Sequence, residues 1–333
     1  MTILKILNKK EYSATGIGRF QECKRKFHYE YVDRYEPVKK GEGLRAGTLL
    51  HVGQECYWNG HNLEAAKCAM HGEAFELGYT DDPLLLPKVN AYLRGYYHRW
   101  EHLDDVQNSE RYQVLAVEHE FSYPSGVDGV MFAGKIDGVL YDTVDNVTIM
   151  LEHKGTSNKQ AQDISSSYWD HLQMNTQLYL YADYLTKKYS RPVQALWDVT
   201  ITSKSKPSGK KKIAKRKSET PEEFAQRKED NMETVDDFEN RLTMTYLDDS
   251  SRYVRKRIPI LEHRLNNKME ELRELVREMQ SDFKPIRNVT ACSNFGGCTY
   301  MDVCLGYTTL EDSARFQKRI KPNKKPKTSE LPF

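Results

Sequence analysis

The sequence predicts a mixed α/β core: a β-sheet flanked by helices, with helical insertions and a Cys-rich C-terminal segment. Three observations carry this. The runs "YQVLAVEHEFSY", "VMFAGKIDGVLYD" and "NVTIMLEHKG" are β-branched and aromatic, and turn residues ("PSGVDG", "TVDN") separate them. Helical spacing precedes them and returns in "WDHLQMNTQLYLYADYLTKKY", after which "VQALWDVTITS" reads as a further strand. Near the end, "CSNFGGCTYMDVC" places three cysteines in one short loop.

In chain order, Ser13 and Thr15 are candidate caps for an aromatic-rich helix in which Phe20, Cys23 and Phe27 recur at helical spacing. "GTLLHVGQECYW" (Gly47 to Trp58) opens another helix, and a Tyr- and Leu-rich helix is expected from Pro83 to Leu103. The three runs that follow read as consecutive antiparallel strands. Beyond the fourth strand comes a basic loop, then one long charged helix from about Pro221 to Gln280 that Pro259 would interrupt. No internal repeat is visible. Residues 1–306 read as one domain carrying the basic loop near 204–217 and a helical region at about 221–282, with 307–333 a polar basic tail.

Of 333 residues, 38% are hydrophobic, enough for a core, and 29% are charged, with a net charge of +2 that by itself indicates no polyanionic partner. The distribution says more. "KSKPSGKKKIAKRK" (Lys204 to Lys217) holds eight Lys or Arg and no acid, and "RFQKRIKPNKKPK" (Arg315 to Lys327) is similar. Such blocks suit phosphate backbones and also occur as solubilising loops. No apolar run is long enough to cross a bilayer, and the apolar stretch in "MTILKILNKKEYS" is too short for a secretion signal. The sequence therefore reads as a soluble cytoplasmic protein whose six cysteines stay reduced. A phosphate-binding loop of the G-x-x-x-x-G-K-[ST] kind is missing, so ATPase or helicase work would need a separate protein.

Two of the strand-like runs carry charges in apolar surroundings: Asp137 in "GKIDG", Glu152 and Lys154 in "MLEHKG". Alternate strand residues share a face, so Glu152 and Lys154 point one way while Leu151 and His153 point the other. If the two strands pair, Asp137 joins them. Converging carboxylates repel unless a cation lies between them, and oxygen ligands favour Mg²⁺ or Mn²⁺. A lysine beside such an ion suits hydrolysis of a phosphodiester, by placing a water or offsetting charge on the attacked phosphate. The alternative is a cross-strand Glu–Lys pair on a solvated face. Likewise Gln177 and Tyr181, four apart in "QLYLY", fit a site or an aromatic core stripe. His51 and Glu55, four apart in "HVGQE", fit a ligand-bearing helix face or an ordinary one.

The ordered set resembles the PD-(D/E)xK nuclease superfamily in its RecB-like and Cas4-like exonuclease branch: a helix bearing His (His51), G-x-x-D ("GKID"), (D/E)-x-K ("EHK") and Q-x-x-x-Y ("QLYLY"), over roughly residues 13 to 200. The resemblance implies a restriction-endonuclease-like fold. It implies metal ligands His51, Asp137, Glu152 and the carbonyl of His153, a catalytic Lys154, and Gln177 and Tyr181 holding DNA and the lysine in place. Gly155 follows the lysine where the family often has Thr, which puts the role of Thr156 in doubt. The implied activity is a Mg²⁺- or Mn²⁺-dependent DNA exonuclease in recombination, repair or replication, acting at ends or on single strands. A prokaryotic, phage or mobile-element setting and a separate helicase partner fit this. A structure-specific endonuclease of the same fold, or a silent DNA-binding factor, are the other readings, and the intact Asp137, Glu152 and Lys154 speak against the last.

Cys292, Cys298 and Cys304 follow a C-x5-C-x5-C pattern that can wrap a metal centre and needs a fourth ligand. The same branch often pairs three such cysteines with one in an N-terminal helix, around a [4Fe–4S] cluster. The resemblance thus implies Cys23 as the fourth ligand. The spacing departs from the C-x2-C-x5-C common in Cas4-like proteins, so zinc is the alternative occupant, and unconnected thiols the plain one. Cys56 and Cys68 lack such partners and read as ordinary thiols.

Overall fold

The computed structural model describes residues 11–104, 110–209 and 211–319. Lys210 and the tail from residue 320 onward, parts of the two basic blocks, fall outside these. Along the chain lie β1 (Glu11–Ser13), α1 (Ala14–Glu22), α2 (Lys24–Phe27), β2 (Tyr35–Pro37), α3 (Glu42–Trp58), α4 (Leu63–Glu76), α5 (Leu85–Asp104), β3 (Tyr112–Pro124), β4 (Met131–Asp142) and β5 (Val147–Thr156). There follow α6 (Ser167–Gln173), α7 (Thr176–Tyr189), β6 (Val193–Ile201), α8 (Pro221–Asp230), α9 (Val235–Asp248), β7 (Tyr253–Pro259), α10 (Glu262–Gln280), α11 (Met301–Leu305) and β8 (Phe316–Lys318). No helix among the described residues is long and apolar enough to cross a membrane.

Contacts divide the chain into two compact units. Of the described residues, the larger comprises those within 41–123 and 133–269, the smaller 11–40, 124–132 and 270–319. The larger unit holds a mixed sheet in the order β4-β5-β6-β7, with β3 also pairing β4. β4 and β5 are antiparallel, β5 and β6 parallel, β6 and β7 antiparallel. The parallel pair needs a crossover, and α6 and α7 supply it. Ile149 and Leu151 of β5 and Leu140 of β4 join a core with Leu49, Leu50 and Tyr57 of α3, Tyr92 and Tyr96 of α5 and Phe238 and Tyr246 of α9. α7 packs against β5 and β6. Both faces of β5 are thus covered, and Val147 to His153 are all buried, which is why this run reads as continuously apolar rather than alternating.

The expected long helix over Pro221 to Gln280 is instead three helices, broken between α8 and α9 and again by a strand, β7, between α9 and α10. Capping boxes begin two of them, Thr220 with Glu223 and Thr234 with Asp237. The strand escaped notice because "YVRKRIP" is basic. Arg255 and Arg257 nevertheless pair with the buried carboxylates Asp198 and Asp142, so ion pairs stand in for the apolar residues that usually mark a strand.

In the smaller unit, Ser13 caps α1 by accepting from the Gly16 amide. Cys23 does not lie within a helix, as its spacing suggested. It is extended (φ −162°, ψ 112°) between α1 and α2. That break turns its thiol toward the segment after α10, where the Asn288 amide donates to Cys23 Sγ at 3.5 Å. Phe20 and Phe27 are buried as expected, both against Phe283. β2 pairs β8 over a small core of Tyr29, Tyr300, Leu310 and Phe316.

Candidate active site

The site sits where β4 and β5 part. Their ladder runs from Asp142–Val147 to Gly138–Leu151. Asp137 is the next residue, and in place of a backbone partner its Oδ2 accepts from the His153 amide at 2.7 Å. β5 meanwhile stays paired with β6 as far as Thr156–Ile201, so the splayed end is held rigid on one side. Two glycines of β4 permit close packing here. A Cβ on Gly134 would come within 2.5 Å of Tyr181 Cε1 and 2.9 Å of Phe121 Cζ, and one on Gly138 within 2.8 Å of Leu151 Cδ2.

Glu152 is fully buried. Gln177, in the first turn of α7, donates its side-chain amide to Glu152 Oε2, while Oε1 has no hydrogen-bond partner among the described residues. Burial first, and then the negative charge of Asp137, push the Glu152 carboxyl well above the usual range, against a lowering by Lys154. Tyr181, one turn along α7, is pushed up in the same way by burial and by Glu152. The Lys154 ammonium lies 5.5 Å from the centre of the Trp197 ring.

From α3, His51 Nδ1 reaches to 3.7 Å of Asp137 Oδ1. Desolvation by burial holds this imidazole below its ordinary range, with His153 and Lys154 acting in the same sense, in the face of raising effects from Asp137 and from a hydrogen bond to the His153 backbone. The third member of the group is Glu118 of β3, which no motif singled out. Ligand atoms of His51, Glu118 and Asp137 all lie within 4.8 Å of one another. Glu118 has φ +52°; Tyr112, Val114 and Val117 before it pack on the α3–α5–α9 core, and Phe121 and Tyr123 after it pack against α7. A left-handed residue inside a strand departs from regular strand geometry and can re-aim its side chain. Lys135 pairs with Glu118. The signal available in the sequence was faint: an acid inside "AVEHEF".

The structure thus brings His51 and Asp137 together with Glu118, and sets Glu152, Lys154, Gln177 and Tyr181 beside them. A fully buried carboxylate with an open oxygen, next to a second carboxylate and an imidazole, is a donor set that a hard divalent cation satisfies.

In the smaller unit, Cys292 Sγ lies 3.6 Å from the Asn288 carbonyl, the residue whose amide meets Cys23. The Cys298 amide donates to the Cys292 carbonyl at 2.8 Å, and Cys304 Sγ stands 3.9 Å from the Tyr29 hydroxyl. Burial pushes the Cys298 thiol up, and Cys292 and Cys304 act on it in the same sense. Cys56 is half-buried and Cys68 exposed.

The family model for the PD-(D/E)XK nuclease superfamily matches residues 11–305. The chain belongs to that superfamily. Among solved structures it is similar in fold to one described as "Putative exonuclease" from Eubacterium rectale, with TM-score 0.50 and 11% identity over 91% of this chain and 90% of that one. No curated protein matches the chain.

Proposed function

We propose that the protein is a Mg²⁺- or Mn²⁺-dependent deoxyribonuclease of the RecB-like and Cas4-like kind, acting as an exonuclease at DNA ends or on single strands. The observation that carries this reading is the buried Glu152 with its open oxygen beside Asp137, His51 and Glu118. His51, Glu118, Asp137 and Glu152, with the His153 carbonyl, would hold the cation. When bound, the ion supplies Lewis-acid polarisation of a phosphodiester and a more acidic water. The chain's own part is to hold these groups rigidly: Gln177 fixes Glu152, and Lys154, on the same strand face, offsets negative charge at the attacked phosphate. The structural relative carries the description "Putative exonuclease", and exonuclease is preferred here over a structure-specific endonuclease. A role in recombination, repair or replication, a cytoplasmic setting and a separate helicase go with this reading.

Purified protein on end-labelled linear and circular DNA tests it. Linear DNA should be degraded with Mg²⁺ or Mn²⁺ and spared with chelator, and Lys154→Ala should be inactive. Cutting of circular single strands would instead favour the endonuclease, and DNA binding without cleavage the silent factor.

Cys23, Cys292, Cys298 and Cys304 would hold a [4Fe–4S] cluster, with zinc as the alternative. Two of them meet at Asn288 from distant parts of the chain, so a metal there would close a very long loop, whose ordering cost metal–thiolate bonds offset. Anaerobically purified protein should contain iron, and Cys23→Ala should lose it as fully as Cys298→Ala. Zinc alone, or full metal content without Cys23, overturns the cluster.

A further inference from the structure

His153, Asp198 and Arg255 are register neighbours across β5, β6 and β7. They form a row of three polar side chains on the sheet face opposite Glu152 and Lys154. Asp198 is fully buried. Its Oδ2 accepts from the Tyr96 hydroxyl at 2.5 Å, lies 3.1 Å from Arg255 Nη2 and 3.4 Å from His153 Nδ1. Arg255 also donates to the Tyr96 hydroxyl at 3.0 Å, and its guanidinium centre stands 3.9 Å from the Trp100 ring centre and 5.1 Å from that of Trp58. Each component of this network is shielded from solvent. Replacing a buried ion pair with apolar side chains is often neutral or stabilising, so stability alone is a weak reason to place it there.

Its position suggests the reason. His153 is the residue between Glu152 and Lys154. Its amide fixes Asp137, its backbone also meets His51, and its ring stands edge-on to His51 with centres 5.6 Å apart. A strand residue cannot turn without turning its neighbours to the other side, so whatever holds the His153 ring also sets the aim of Glu152 and Lys154. We infer that Asp198, locked by Arg255 and Tyr96, is a positioning residue for the metal site, acting through His153.

The inference rests on the nuclease reading above, because it requires a cation at that site. The test is Mn²⁺ affinity of the whole protein without DNA, followed by calorimetry, in wild type, Asp198→Asn, His153→Phe and the double variant. Asp198→Asn should weaken Mn²⁺ about tenfold, in line with changes to groups that orient metal ligands. The double variant should be no more than about twofold weaker than His153→Phe alone, since both changes break one link. Tyr96→Phe removes one donor and keeps the ion pair, so it carries the test should Asp198→Asn not fold; a few-fold weaker Mn²⁺ binding is expected. Lower thermal stability with wild-type Mn²⁺ affinity would show a purely structural network and overturn the inference, as would additive losses. Wild type that binds no Mn²⁺ would sink the nuclease reading and this inference together. Wild type that binds Mn²⁺ and loses it in Glu152→Gln, but not in Asp198→Asn, would sink this one alone.

Discussion

Gln177 donates its side-chain amide to Oε2 of Glu152, linking the first turn of α7 to the middle of β5. Asn175 caps that turn by accepting from the Gln177 amide, so the donor is fixed at its own backbone. Removing it leaves a buried carboxylate whose second oxygen is already open. Gln177→Ala should therefore lower kcat by about 10- to 100-fold, the range seen when a partner of a metal ligand is lost. Steady-state kinetics with saturating Mg²⁺ check this, and an unchanged kcat would remove Gln177 from the site.

Glu118 holds a left-handed backbone, φ +52°, which costs a non-glycine residue of the order of 1–2 kcal/mol. Glu118→Gln keeps that strain and removes the charge beside Asp137 and His51, so Mn²⁺ affinity should fall about tenfold or more. Glu118→Gly should lose metal affinity equally while being at least as stable as Glu118→Gln in urea melts. If both variants bind Mn²⁺ like wild type, Glu118 is no ligand.

Gly134→Ala places a Cβ against Tyr181 and Phe121 at distances no real contact adopts. Both rings belong to a packed aromatic group with Tyr184, so they cannot simply step aside. A loss of about 1–3 kcal/mol is expected, as for other overpacked sites, together with reduced cleavage because Tyr181 faces Glu152. Wild-type thermal stability and activity would show that α7 yields freely.

Asp142 is buried, which by itself would raise its carboxyl. Hydrogen bonds from Arg111, the Asp145 amide, Arg257 and the Val144 amide outweigh burial and hold it at about 2. Its unfolded value is near 3.9. A carboxyl depressed in the folded state gives stability that is whole above the unfolded value and is lost as pH falls through the folded one. Stability should therefore decline between about pH 4 and pH 2, and Asp198, also held well below its ordinary range against burial, by Arg255 and His153, adds to that decline at the acid end. Asp142→Asn should flatten this acid limb in urea melts across pH 2–6; an unchanged slope would mean the charge contributes little.

The described residues of the basic stretch, 204–209 and 211–217, are largely irregular and exposed, but they are anchored. Glu233 accepts from the Ser208 amide at 2.9 Å, and Asn231 from the Lys211 amide at 3.2 Å. That arrangement presents lysines to solvent at a fixed base. Replacing the eight basic residues with Ser and Gln should flatten the dependence of log K on log salt for single-stranded DNA, because each lost phosphate contact releases one counterion fewer. An unchanged slope would mark the loop as a solubilising surface.

The sequence by itself determined the strand run through β3, β4 and β5, the helices α5 and α7 and the residues on one β5 face, because alternation and helical spacing are local properties that burial of a sheet or helix face imposes. It placed Asp137, Glu152, Lys154, Gln177 and Tyr181 on the elements that carry them for the same reason. Tertiary structure decided what depends on partners far along the chain. Arg255 and Arg257 sit in a strand whose buried partners are Asp198 and Asp142; without those partners three basic residues in a row read as a solvated helix. Glu118, with its left-handed backbone, comes within reach of His51 and Asp137, and a backbone conformation at one residue leaves little trace in composition. Cys23 meets Asn288 only because the helix breaks at the cysteine, where regular spacing had predicted continuity. In each case a long-range charge, strain or contact outweighed local propensity, and those energies are not written in the neighbouring residues.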